Sequence, residues 1–144
     1  MAEIVPSFAL YGAGQRYSLR LVQKMTLKAI ERILMIRHIL LITFTTDAST
    51  EAIEQVREAF LHIPEHIEGV QAVEWGINDS PEDKNAGYTH CVLMTFQDEQ
   101  ARQRYLPHPR HEALKAIFRP LLGNIVVLDY PVLPPNSSVS SAAY

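Results

Sequence analysis

Cysteine is nearly absent: the single Cys91 excludes an intrachain disulfide and any cysteine-rich zinc knuckle, and it leaves the redox compartment undecided. No run of eighteen apolar residues occurs, so no membrane-spanning helix is expected. Excess positive charge is missing too. Thirteen Lys and Arg stand against sixteen Asp and Glu, a formal charge of −3, which provides no overall field for DNA or RNA, and no nucleic-acid partner is expected. Gly12 and Gly14 form no dinucleotide fingerprint, no P-loop or HExxH occurs, and the tail serines have no nucleophile-elbow context. What is present is 47% hydrophobic and 20% charged residues in a 144-residue chain. That is a one-domain length, able to bury roughly two thirds of its unfolded surface in a single core.

The charge is uneven. Residues 1–37 carry Arg16, Arg20, Lys24, Lys28, Arg32 and Arg37 against Glu3 and Glu31, a local +4, while the remainder carries −7. From about Ser18 to Met35 the apolar positions Val22, Met25, Ala29, Ile33 and Ile36 recur at helical spacing, with cations every fourth residue. Residues 1–35 therefore read as a basic extension, partly helical. Three readings stay open: a helix packed on the domain or a partner, an upstream extension preceding a natural start at Met35, and an organelle-targeting or membrane-surface segment. The uninterrupted apolar stretch and small-residue cleavage site of a secretory signal are missing, which disfavours export.

The compact unit is expected over residues 36–132. Residues 37–44 have strand chemistry and are apolar on both faces. Ser49 or Thr50 is placed to cap a helix through Ala52, Ile53, Val56, Ala59, Phe60 and Ile63, which Pro64 interrupts. Strands are predicted at 70–77, 88–96 and 124–130, helices at 98–106 and 109–122, and a polar loop at 78–87. Residues 133–144 form a Pro/Ser-rich tail. Strand, helix, strand, strand, helix, strand predicts an α+β fold: a ferredoxin-like four-stranded antiparallel sheet with helices on one face. Leu40, Ile42, Val92 and Met94 are expected to need more cover than one helical layer provides, which points to a homodimer closing sheet against sheet.

Six histidines are present, and their positions matter most. His38 opens the first strand, His90 shares the parity of Met94 and Phe96, and His108 and His111 flank the start of the last helix. With the first and third strands adjacent and the helix over their ends, His38, His90 and His111 line one cleft. Imidazole suits such a place because its pKa is near neutrality, making it a base in one step and an acid in the next. Packing is the alternative for His38 and His90. His108, boxed by Pro107 and Pro109, reads as a structural junction, and His62 and His66 as solvated or capping residues. Tyr105 is placed either to hydrogen-bond a bound carbonyl or phenol or to pack under the helix junction. Pro109 between His108 and His111 argues against a shared metal; no metal and no cofactor are expected.

Taken together, Arg37-His38, Trp75-Gly76, Gly87-Tyr88-Thr89-His90, the run from Tyr105 to His111 and the strand-ending Asp129-Tyr130 resemble the stress-responsive dimeric α/β-barrel (Dabb) family over residues 36 to about 132. The resemblance implies a ferredoxin-like protomer, a homodimer whose sheets form a dimeric α/β barrel, and a pocket between sheet and helices. A plant polyketide cyclase in that family closes a linear tetraketide by aldol condensation. Its catalytic tyrosine and histidine fall on Tyr105 and His111, and its further pocket histidines on His38 and His90. A second pocket tyrosine falls at Phe60, where the hydroxyl is lost. Some plant members bind magnesium near the end of the first helix, where Glu65 and Glu68 lie without a defensible coordination set. The expectation is a stress-responsive protein with a pocket for a small, partly apolar carbonyl or phenolic ligand. One alternative is a cyclase-like enzyme, in which His111 abstracts a proton alpha to a carbonyl and Tyr105 hydrogen-bonds the enolate. The other is a noncatalytic structural or regulatory module. A cytoplasmic location is expected, with organelle targeting by residues 1–34 as the alternative.

Overall fold

The computed structural model describes residue 29 and residues 33–133. The readings made for the rest of the N-terminal extension and for most of the Pro/Ser-rich tail lie outside the described residues. The elements are β1 (Ile36–Phe44), α1 (Thr50–Leu61), a short α2 (Ile63–His66), β2 (Val70–Ile77), β3 (His90–Phe96), α3 (Glu99–Tyr105), α4 (Pro109–Phe118), a 3-10 turn (Arg119–Leu121) and β4 (Leu122–Pro131). The four strands are antiparallel in the order β2-β3-β1-β4.

Local chemistry explains the boundaries. Ser49 caps α1 by accepting from the Ala52 amide at 3.1 Å, and Asp98 caps α3 by accepting from the Ala101 amide at 2.8 Å. Pro64 does not end the helical region but restarts it. The first helix stops at Leu61 and α2 begins at Ile63, with Pro64 in its first turn, where a missing amide hydrogen costs nothing. Gly69, at φ +87°, turns the chain from α2 into β2 in a conformation that a side chain resists.

One face of the sheet is covered by the helices. Ile36, Leu40 and Ile42 of β1 and Val92, Met94 and Phe96 of β3 are buried there against Val56, Phe60, Ile63, Tyr105, Leu114 and Phe118. Leu40, Ile42, Val92 and Met94 are thus fully covered within one protomer, contrary to the expectation that they demand a second layer. The unmet demand belongs to the other parity. Among the described residues, Leu41, Val126, Leu128 and Tyr130 are exposed on the bare face, beside half-buried Ile39 and Leu93. The helices lie chiefly over β2 and β3. Val127, which pairs with Leu40 and so points to the helical side, is consequently still 54% exposed.

The ferredoxin-like sheet is as expected, but the barrel is not. The sheet is open, with β2 and β4 as separate edges. The reason is geometric: about eight strands are needed to close around packed side chains, and this chain contributes four. The dimeric α/β barrel expected from the sequence is therefore corrected to an open, four-stranded sheet.

Candidate functional site

His38, Tyr105 and His111 meet where the ends of β1, α3 and α4 converge. Tyr105, the last residue of α3, is 1% exposed, and its ring stacks on the His111 imidazole at a centroid separation of 4.1 Å and an angle of 27°. The buried His38 ring stands edge-on to Tyr105 at 6.2 Å, and Phe96 packs against both, 5.7 Å from His38 and 5.1 Å from Tyr105. Pro107, and Pro109 at the start of α4, produce this meeting. They end α3 and begin α4 within a few residues, so the chain folds His111 back over Tyr105.

The protonation pattern follows from the partners. His111 Nδ1 donates to the Leu106 carbonyl at 2.9 Å, which leaves Nε2 with the lone pair. Burial holds the His111 pKa below its ordinary value, with Lys115 and His38 adding to the depression against the opposing Leu106 hydrogen bond and Glu112. His111 is therefore a neutral imidazole at pH 7. Burial pushes the Tyr105 phenol well up, so it keeps its proton and remains a donor.

His90 and Phe60 occupy the other end of the same covered face. His38 pairs with Met94 and Ile42 with His90, so the two histidines are separated by four positions along the strands, roughly 13 Å. The His90 ring lies edge-on to Phe44 at 4.9 Å and near Trp75 at 5.6 Å, and its Nδ1 is 2.8 Å from the Thr89 hydroxyl. Burial lowers its pKa. Phe60 is enclosed between Trp75 at 6.0 Å and Phe118 at 5.3 Å. The sequence-predicted residues thus form two groups: a polar one of His38, Tyr105 and His111, and an aromatic one of Phe60 and His90 with Phe44, Trp75 and Phe118.

Two further residues join the polar group. Asp129 Oδ1 accepts from His38 Nδ1 at 2.6 Å, and its Oδ2 accepts from Arg102 at 2.9 Å. The sequence marks Asp129 only as part of a strand-ending pair, because its partner is set by strand order. His108 instead caps α4, accepting from the Arg110 amide at 3.1 Å, and His62 lies exposed near the end of α1, its Nδ1 donating to the Glu58 carbonyl at 2.8 Å. Among the described residues no group of three or more His, Cys, Asp or Glu is placed to hold a metal ion, and no helix is long and apolar enough to cross a membrane. A shallow concavity of about 570 Å³ on the outside of α1 is lined by Thr50, Glu51, Glu54, Gln55 and Glu58 and contains none of these histidines.

Comparison with known proteins agrees with this architecture. The family model described as the stress responsive A/B barrel domain (Dabb) matches residues 36–132. The chain is 34% identical over 95 residues to the stress-response A/B barrel domain-containing protein HS1 of Arabidopsis thaliana, covering 66% of this chain and 87% of that protein. It is 24% identical over 95 residues to olivetolic acid cyclase of Cannabis sativa, covering 66% and 94%. A crystal structure of a dimeric ferredoxin-like protein from Thermobifida fusca YX superposes with a TM-score of 0.60 at 25% identity, covering 69% of this chain and 92% of that one. With two thirds of its length matched by the family model, the chain belongs to the stress responsive A/B barrel domain family.

Proposed function

We propose that this family member binds a small, partly apolar carbonyl or phenolic compound between its sheet and helices, as a homodimer built on residues 36–132. The observation that carries the reading is the stack of Tyr105 on His111 beside His38. It sets a phenol donor and a neutral imidazole acceptor side by side, with the apolar ring of Phe96 packed against Tyr105. His38 serves the polar end of the ligand, while Phe60 and His90 line the aromatic end. The similarity to a protein named olivetolic acid cyclase supports a small-molecule ligand. The dimer is supported by the apolar bare face of the sheet and by the dimeric ferredoxin-like relative.

The free Nε2 of His111 favours a second reading, cofactor-independent enolate chemistry. His111 Nε2 takes a proton alpha to the ligand carbonyl, and the Tyr105 hydroxyl donates a hydrogen bond to the developing enolate oxygen. Native mass spectrometry of the purified protein identifies a retained ligand, and His111→Ala and Tyr105→Phe then separate the readings. Turnover that falls by about 10² or more in each variant supports proton transfer. A change in affinity without conversion leaves a binding protein. Unchanged function in both variants, with no response of the His111 ring to ligand in NMR, defeats the site and leaves a structural or regulatory module. A cytoplasmic location belongs to the same reading, with targeting by residues 1–34 as the opposing outcome; fluorescent fusions of the full and truncated chains distinguish them.

A further inference from the structure

Asp129 lies on the edge strand β4, opposite His38 in the register, and its carboxylate joins three elements. One oxygen accepts from His38 Nδ1 at 2.6 Å and the other from Arg102 Nη1 at 2.9 Å, while Arg102 is also paired with Glu99 one turn earlier on α3. Arg102 precedes Tyr105 by three residues, so the helix that carries Tyr105 also clamps the carboxylate that holds His38. A carboxylate flanked by a guanidinium only accepts hydrogen bonds. His38 must then carry a proton on Nδ1, which in the neutral imidazole puts the lone pair on Nε2. A tie between β4 and α3 needs only the Arg102 pair; the bond to His38 does something else, which is to select a tautomer.

We infer that Asp129 is a positioning residue that fixes His38 as an acceptor at Nε2, with Arg102 holding Asp129 in place. His38 and Tyr105 together then select a ligand presenting both a hydroxyl donor and a carbonyl acceptor, of the hydroxyaryl ketone class. The Nδ1 proton stands on the geometry alone, and the acceptor at Nε2 belongs to the neutral ring. The ligand selection rests on the proposed ligand-binding function.

Histidine ring nitrogen shifts in the ¹⁵N-labelled full chain test the first part. Wild type should show His38 as the Nδ1–H form. Asp129→Ala should move it toward the Nε2–H form that isolated imidazole prefers, and Asp129→Glu should restore Nδ1–H. His111, whose Nδ1 is held by the Leu106 carbonyl, should not change in any variant and reports an intact fold. Should Asp129→Ala fail to fold, Asp129→Leu retains bulk at the strand edge and gives the same readout. A doubly protonated His38 in wild type, or His38 remaining Nδ1–H without its carboxylate while His111 is unchanged, overturns the assignment. For the second part the probes are 4-hydroxyacetophenone and 4-methoxyacetophenone, titrated by NMR. A hydrogen bond to His38 should give wild type about a tenfold preference for the hydroxyl compound, and Asp129→Ala should abolish most of it. Equal wild-type affinities overturn the selection. Binding of neither probe counts against the ligand-binding reading and the selection together, while the tautomer measurement still decides the role of Asp129.

Discussion

At the scale of single residues, burial of His111 has a pH signature. The unfolded chain takes up a proton at this position near pH 6.5, whereas the folded protein holds the His111 pKa lower. Below about pH 6.5 the unfolded state therefore binds more protons, and the His111 contribution to stability is complete above that pH and lost as the pH falls through it. His90 acts in the same direction. The exposed His62 opposes both, since its hydrogen bond to the Glu58 carbonyl raises its pKa and favours the acid side. The net profile mixes these signs, so the useful measurement is a difference. His111→Gln should lose less stability than wild type between pH 7.5 and 5.5, read as the shift in urea midpoint; identical shifts would show that His111 is not held neutral by burial. The meeting of Tyr105 with His111 is readable in the sequence because six positions and two prolines separate them. The partner of His38 is not, because Asp129 lies 91 residues away and is brought opposite only by the pairing of β1 with β4.

Among the elements, the two glycines with positive φ in the described residues separate conformational cost from steric cost. Gly87 has φ +85° with open space where a methyl group would go, whereas Gly69 has φ +87° and an added Cβ would lie 2.5 Å from Ala101 Cβ. Gly87→Ala should therefore cost about 1–2 kcal/mol for the left-handed backbone alone. Gly69→Ala adds overpacking between the start of β2 and α3, about 1–3 kcal/mol more. Urea titrations of both variants should preserve that order, and equal losses would show that α3 yields freely to the extra methyl. The element order is legible because each segment has its own period: alternation over 70–77 coincides with β2, and the capping serine marks the start of α1. The face of β1 turned to the helices is not legible. Ile39 and Leu41 are as apolar as Leu40 and Ile42, so hydropathy cannot distinguish the two parities. Only the placement of α1, α3 and α4 over one side decides it, and that placement also splits the histidine group, because strand register puts His90 and His38 at opposite ends of the covered face.

For the whole molecule, the bare face directs the test of self-association. Sedimentation at micromolar concentration should give about twice the 16.3 kDa chain mass. Leu41→Asp should yield a folded monomer, since Leu41 points away from the helices and its charge meets water in the isolated protomer. A monomeric wild type across that range would end the dimer reading, and an unfolded Leu41→Asp would place this residue in the protomer core instead. Such a released protomer carries a hazard of its own. In β4, Ile125, Val126, Val127 and Leu128 form an uncharged, largely β-branched run on an edge whose outer side is unpaired among the described residues. Uncharged runs of that kind recruit further strands into fibrils. The Leu41→Asp monomer should therefore develop thioflavin T fluorescence on standing while wild type does not. Adding Val127→Lys, a charge at an exposed position of the same edge, should suppress it. Partnering in this protein would then protect the chain from amyloid as well as complete its surface.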